Sequence, residues 1–180
     1  SVASRGLGDV YKRQLPLRAA CRTVIEGLED RRLMAVSFSG GTYDQDFNTL
    51  PSTGSSVSWT NDTTLAGWHL YAQPAPGTAI TTVSTTTGNS NAGTFANYGI
   101  SGNTDRALGG QGSGGTYFGS PGSGQVAGWQ AISLTNTSGS AISSFDVNYD
   151  GEQWRNGGNT SAQTMTLQYG FGATFSAVTT

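Results

Sequence analysis

The sequence predicts an all-β fold, an antiparallel β-sandwich, and three observations carry that expectation. Charged residues make up only 11% of the chain; of the residues that helices favour, Lys and Glu are nearly absent and Ala and Leu are scattered among many Thr, Ser, Asn and Gly. From residue 35 onward, short apolar segments are punctuated by Gly, Asn, Ser and Pro, the rhythm of strands and turns. Trp59, Trp68, Trp129 and Trp154 recur through the same region, which argues for a packed interior and against a disordered Gly/Ser linker.

The strands follow in order. Residues 35–39, 45–50, 56–60, 68–72, 80–86, 95–100, 106–109 and 116–119 are short candidates between turn residues. Three longer ones come next. In residues 128–136, Ile132 and Leu134 alternate with Ser133 and Thr135, and the turn Asn136, Thr137, Ser138, Gly139 predicts a hairpin. The return strand 142–149 places Phe145, Val147 and Tyr149 on one face, with Asp146 and Asn148 on the other. Met165, Leu167, Tyr169 and Phe171 repeat the alternation. These three strands are expected to pair antiparallel as the best-ordered part of the domain. The Gly-rich runs 88–93 and 109–124 read as connections.

Charge divides the chain. Residues 1–36 hold seven basic and four acidic side chains, against two and seven in residues 37–180, for a net charge of −2. The expected organisation is a leader, residues 1–36, ahead of one β-domain, residues 37–180, a length sufficient for a single core. Outside the leader the only cations are Arg106 and Arg155, so nucleic acid is not an expected partner. Cys21 is the single cysteine and excludes a disulfide framework within the chain. No apolar run approaches the roughly 20 residues of a spanning helix.

The segment S-V-A-S-R-G-L-G-D-V-Y-K-R-Q (residues 1–14) resembles translated sequencing adaptor and is excluded from the fold. In V-I-E-G-L-E-D-R-R-L-M-A-V (residues 24–36), Val24, Ile25, Leu28 and Leu33 can share a helical stripe, with Glu29 and Arg32 as an i,i+3 pair. This stretch resembles the sorting motif of large planctomycete surface proteins. Its core is here Leu28, Glu29, Asp30 and Arg31, closing with Leu33 and Met34, and Asp30 stands where proline is usual. The resemblance implies a bacterial location outside the cell or on its surface, and no activity.

One loop concentrates recognition chemistry. Residues 151–159 read G-E-Q-W-R-N-G-G-N. Trp154 can offer an apolar platform to a sugar, while Glu152, Arg155 and Asn156 bond its hydroxyls. Alternatively, Arg155 and the Asp105–Arg106 pair are polar clusters that tie loops to sheet ends. Asp146, Asp150 and Glu152 fall at even spacing, which would suit the two carboxylates of a glycosidase if the strand ran through Gly151. No cofactor is expected; calcium is the alternative, with hard oxygen donors at Asp44, Asp46, Asp105 and, as the named candidates, Asp150 and Glu152. His69 is the only histidine, too little for a transition-metal site or, without a nucleophile-elbow pattern, for a triad. Asn61, Asn136 and Asn159 head Asn-x-Ser/Thr triplets, which mark exposed turns.

The blocks F-N-T-L (residues 47–50), W-T-N-D-T-T-L-A-G-W (59–68), T-D-R-A-L-G (104–109) and F-D-V-N-Y-D-G-E-Q-W-R-N-G-G-N with T-M-T-L-Q-Y (145–169) are similar to a bacterial secreted domain of surface proteins. The resemblance covers most of residues 43–180. It implies a jelly-roll-like sandwich, a non-catalytic role and partners among extracellular polysaccharides or cell-envelope components. It also implies that the domain runs on past Thr180, because the closing strands of such domains have no counterpart before it. Carbohydrate binding and a glycosidase-like jelly roll are the alternative functions.

Overall fold

The computed structural model describes residues 35–72, 78–112, 128–158, 160 and 165–172, all within the unit Met34–Thr180. The expected leader up to residue 34, with the residues of its sorting-motif resemblance (28–34), and the candidate strand 116–119 lie outside the described residues. The fold is all-β: among the described residues there is no helix, and none long and apolar enough to cross a membrane.

Among the described residues, eight strands form three sheets. They are β1 (Val36–Phe38), β2 (Val57–Ser58), β3 (Trp68–Ala72), β4 (Thr82–Thr86), β5 (Thr94–Tyr98), β6 (Ala107–Gln111), β7 (Gly128–Ile132) and β8 (Leu134–Asn136). The largest sheet has the order β2-β4-β5-β6, while β3 pairs with β7 and β1 with β8. Pairing is mixed, because β1–β8 and β4–β5 are parallel and the other three pairs antiparallel.

Alternation builds the core. Leu70 and Ala72 of β3, Val83 of β4 and Leu108 of β6 point inward with Leu50, Trp59, Leu65, Ile80 and Phe95. Phe47, Val57 and Trp68 pack against this cluster from its rim, and Phe47 meets Trp68 edge to face at 4.8 Å. β5 is buried at all five positions, as a strand flanked by β4 and β6 and covered on both faces must be.

The block at residues 59–68 folds into a knot of turns that closes one side of this core. Thr63 N and Thr64 N donate to Thr60 O. Asp62 is buried with a left-handed φ of 63°, and its Oδ1 accepts Gly67 N at 2.5 Å. Asn61 Oδ1 accepts both Trp59 Nε1 and Leu70 N at 2.8 Å. The triplet at Asn61, expected on an exposed turn, thus spends its amide on the core.

Two strand expectations are corrected. Residues 45–50 form turns, because Asp46 Oδ1 accepts Asn48 N at 3.0 Å and Phe47 adopts φ 59°, which a continuous strand does not tolerate. The three-stranded antiparallel array at 128–136, 142–149 and 165–169 does not form. Its turn does: Asn136 Oδ1 accepts Ser138 N at 3.0 Å, and Gly139 takes φ 75°. Among the described residues beyond it the chain forms no further strand, only an isolated bridge at Phe171. β7 instead pairs with β3, some 60 residues earlier, with Leu70 opposite Gln130 and Trp68 opposite Ile132. β8 likewise turns to β1. Alternation dictates which side chains share a face, while the choice of neighbouring strand rests on long-range packing. Phe145, Val147, Tyr149, Met165, Leu167, Tyr169 and Phe171 consequently face water, up to 81% exposed at Met165 and 82% at Phe171.

Candidate functional site

The region around Trp154 is assembled on an unusual connection. Parallel neighbours generally need a link of a dozen or more residues, yet β4 and β5 are joined by residues 87–93 alone. Seven residues reach about 25 Å at most, and the return along a five-residue strand takes about 17 Å. The return thus uses about two-thirds of the link's reach, and the link bends at Gly88, whose φ is 85°. Side chains from elsewhere hold it. Gln111 Nε2 donates to Ser90 O at 2.7 Å. Arg155 Nη1 donates to Gly88 O at 3.1 Å, and Arg155 Nη2 donates to Asn91 Oδ1.

Trp154 settles on this link. Its indole stacks on Tyr98, the last residue of β5, with ring centroids 6.1 Å apart and planes 19° from parallel. Its Nε1 donates to Glu152 Oε2 at 2.7 Å. Gly88 lies directly under the Trp154 backbone, where any Cβ would overlap the Trp154 carbonyl; its φ of 85° also suits glycine. Burial raises the Tyr98 hydroxyl above its ordinary pKa, keeping the ring neutral beneath the indole.

Of the four predicted recognition residues, Glu152, Trp154 and Arg155 are thus organised together, and Asn156 is exposed beside them. The partners differ from a simple cation–indole stack, since Arg155 reaches to the link while Trp154 takes Tyr98 and Glu152. Nothing local in the sequence marks Gly88, Asn91 or Tyr98, which lie 56 to 67 positions from the loop they hold. Asp150 is exposed. Among the described residues no group of three or more His, Cys, Asp or Glu could hold a metal ion.

The second predicted pair separates. Asp105 stays exposed, whereas Arg106 is buried at 3% exposure. Arg106 Nε donates to Asn97 Oδ1 at 2.8 Å, Nη2 to Asn97 O at 2.9 Å and Nη1 to Ile100 O at 3.2 Å. Burial lowers the guanidinium pKa and the nearby Asp105 charge opposes that. Asn97, fully buried, donates in turn to Pro51 O, and Asn48 Oδ1 accepts Arg106 N at 3.0 Å. Gly99 gives the guanidinium its space, because a Cβ there would overlap the guanidinium and Asp105 O. The pair expected to tie a loop to a sheet end does so through Arg106, with neutral oxygens in place of a carboxylate.

His69 lies on β3 opposite Ala131, its ring stacked on Tyr71 at 6.4 Å. Burial lowers its pKa below the ordinary 6.5, and the Asp62 charge offsets part of that. The unfolded chain therefore binds this proton at a higher pH than the folded one, so stability is complete above about pH 6.5 and declines as pH falls through that value. The melting temperature is expected to drop between pH 7.5 and 5.5, with a smaller drop in His69→Phe; equal drops would refute the assignment.

Taken together, the fold and this region define an all-β unit with a tethered aromatic surface loop. No family model, curated protein or solved structure matches the chain.

Proposed function

We propose that this chain is a non-catalytic interaction module acting outside the cell or on its surface. The observation that carries the reading is the pair of segments at residues 145–149 and 165–171, where seven large apolar side chains face water. Large exposed apolar patches mark interaction surfaces. Polysaccharide and cell-envelope material are the partners to test. The wild-type chain is expected to be retained on such preparations, and Phe145→Ser/Tyr149→Ser/Phe171→Ser to be released at unchanged melting temperature, since exposed substitutions alter stability little. Equal retention of both proteins, or none of either, would overturn the reading.

A second reading is favoured by the Trp154 geometry: a carbohydrate-binding module. An indole fixed from below by Tyr98 and at its edge by Glu152 is a preorganised plate for a pyranose face. Trp154→Ala is expected to weaken oligosaccharide binding at least tenfold in calorimetric titration. Undiminished binding would reject the plate.

A further inference from the structure

A hollow of about 310 Å³ opens beside the Trp154 plate, between the loop 52–55, the end of β4 with its link, and the turn after β5. That volume is at the lower end of small-ligand sites. Its lining side chains are hydroxyls and one amide, among them Thr53, Ser55, Thr85, Thr87, Asn89 and Ser101, and none is ionisable. A charged ligand would find no counter-charge there. A ligand rich in hydroxyls would find donors and acceptors in one array, because each Ser or Thr supplies both.

The walls are fixed before any ligand arrives. Gly99, part of the lining, is clamped from behind by Arg106 and bonded through its N–H to Thr86 O at 3.1 Å. Thr86 Oγ1 accepts Gly88 N at 3.1 Å. Thr85 Oγ1 is shielded from water and has no hydrogen-bond partner among the described residues. A buried hydroxyl left so is costly.

The hollow and the plate share residues along the chain. Thr87 and Asn89 line the hollow, while Gly88 between them carries Trp154. Tyr98 stacks under Trp154, and its neighbour Gly99 lines the hollow. We propose that the hydroxyl-lined hollow binds one or two rings of a neutral polysaccharide whose next ring lies on Trp154. This rests on the carbohydrate reading above and extends it to a site of several sugar units without charge.

The test is calorimetric and NMR titration of the full chain with neutral hexasaccharides of glucose, mannose and xylose, and with an oligogalacturonate as the acidic control. Two hollow variants are compared with Trp154→Ala: Thr53→Val/Thr87→Val, which removes two hydroxyls, and Ser55→Trp, which fills the space from an exposed loop position. Expected are binding of at least one neutral hexasaccharide, roughly tenfold loss in the Thr→Val pair, and loss in Ser55→Trp at unchanged melting temperature. Loss in Trp154→Ala alone would keep the plate and overturn the hollow. Loss in the hollow variants alone would overturn the plate and leave the hollow as the site. Tighter binding of the oligogalacturonate would overturn the neutral class, and no binding of any probe would overturn both.

Discussion

Arg106→Leu is expected to lower folding stability by about 2–6 kcal/mol, because Asn97 Oδ1 and Asn97 O lose their buried donor and each buried acceptor left unpaired costs about 1–3 kcal/mol. Asn97 Oδ1, Asn97 O and Ile100 O each lose a charge-assisted donor in an interior that water does not reach readily. The loss would spread, since Asn97 also fixes Pro51 and the Arg106 backbone is held by Asn48. With total stability of about 5–15 kcal/mol for a typical domain, denaturant titration should show a midpoint near zero or a greatly reduced one. Arg106→Lys should recover only part, because an ammonium cannot serve three acceptors in the planar fork that guanidinium presents. A midpoint within error of the wild type in Arg106→Leu would show that the network contributes nothing net.

Asn61→Ala is the second large effect, expected at about 2–4 kcal/mol. The substitution orphans the Trp59 indole N–H and the Leu70 amide at once, and each buried donor without a partner costs about 1–3 kcal/mol. Both flanking residues are deep in the core, Trp59 at 2% and Leu70 at 0% exposure. Trp59 fluorescence should shift and broaden as its ring loses a fixed position, and denaturant titration gives the energy. Stability unchanged in Asn61→Ala, as an exposed turn residue would give, would refute the buried role.

These two sites show how far sequence reaches here. Strand β3 lies where the alternation of Trp68, Leu70 and Ala72 places it, and β4, β5 and β6 overlap their expected segments, because period-two burial is a local property of the chain. The turn at residues 136–139 is equally local, built from Asn136 and its near neighbours. By contrast, the rows at Phe145 and Met165 have the same alternation as β3 but no strand beside them. Arg106 was visible as one of two cations outside the leader, yet its burial depends on Asn97 and Gly99, polar and small residues with no distinguishing pattern of their own. Asn61 carried a misleading signal, since a side-chain amide serves a surface turn or a buried cap with the same three atoms.

The loop at residues 151–158 divides in the same way. Its aromatic, cation and carboxylate stand within four positions of one another and mark it from the sequence alone. Its orientation comes from the short β4–β5 link, from Tyr98 and from the space left at Gly88.

Composition and alternation, which act over a few residues, by themselves determined the all-β class, most strand positions and the composition of the loop at residues 151–158. Tertiary structure alone decided strand neighbours, the parallel pairs, the burial of Arg106 and Asn61, and the hollow beside Trp154. Each of those depends on contacts between segments distant along the chain, whose energies are set by shape and hydrogen-bond satisfaction at the point of meeting.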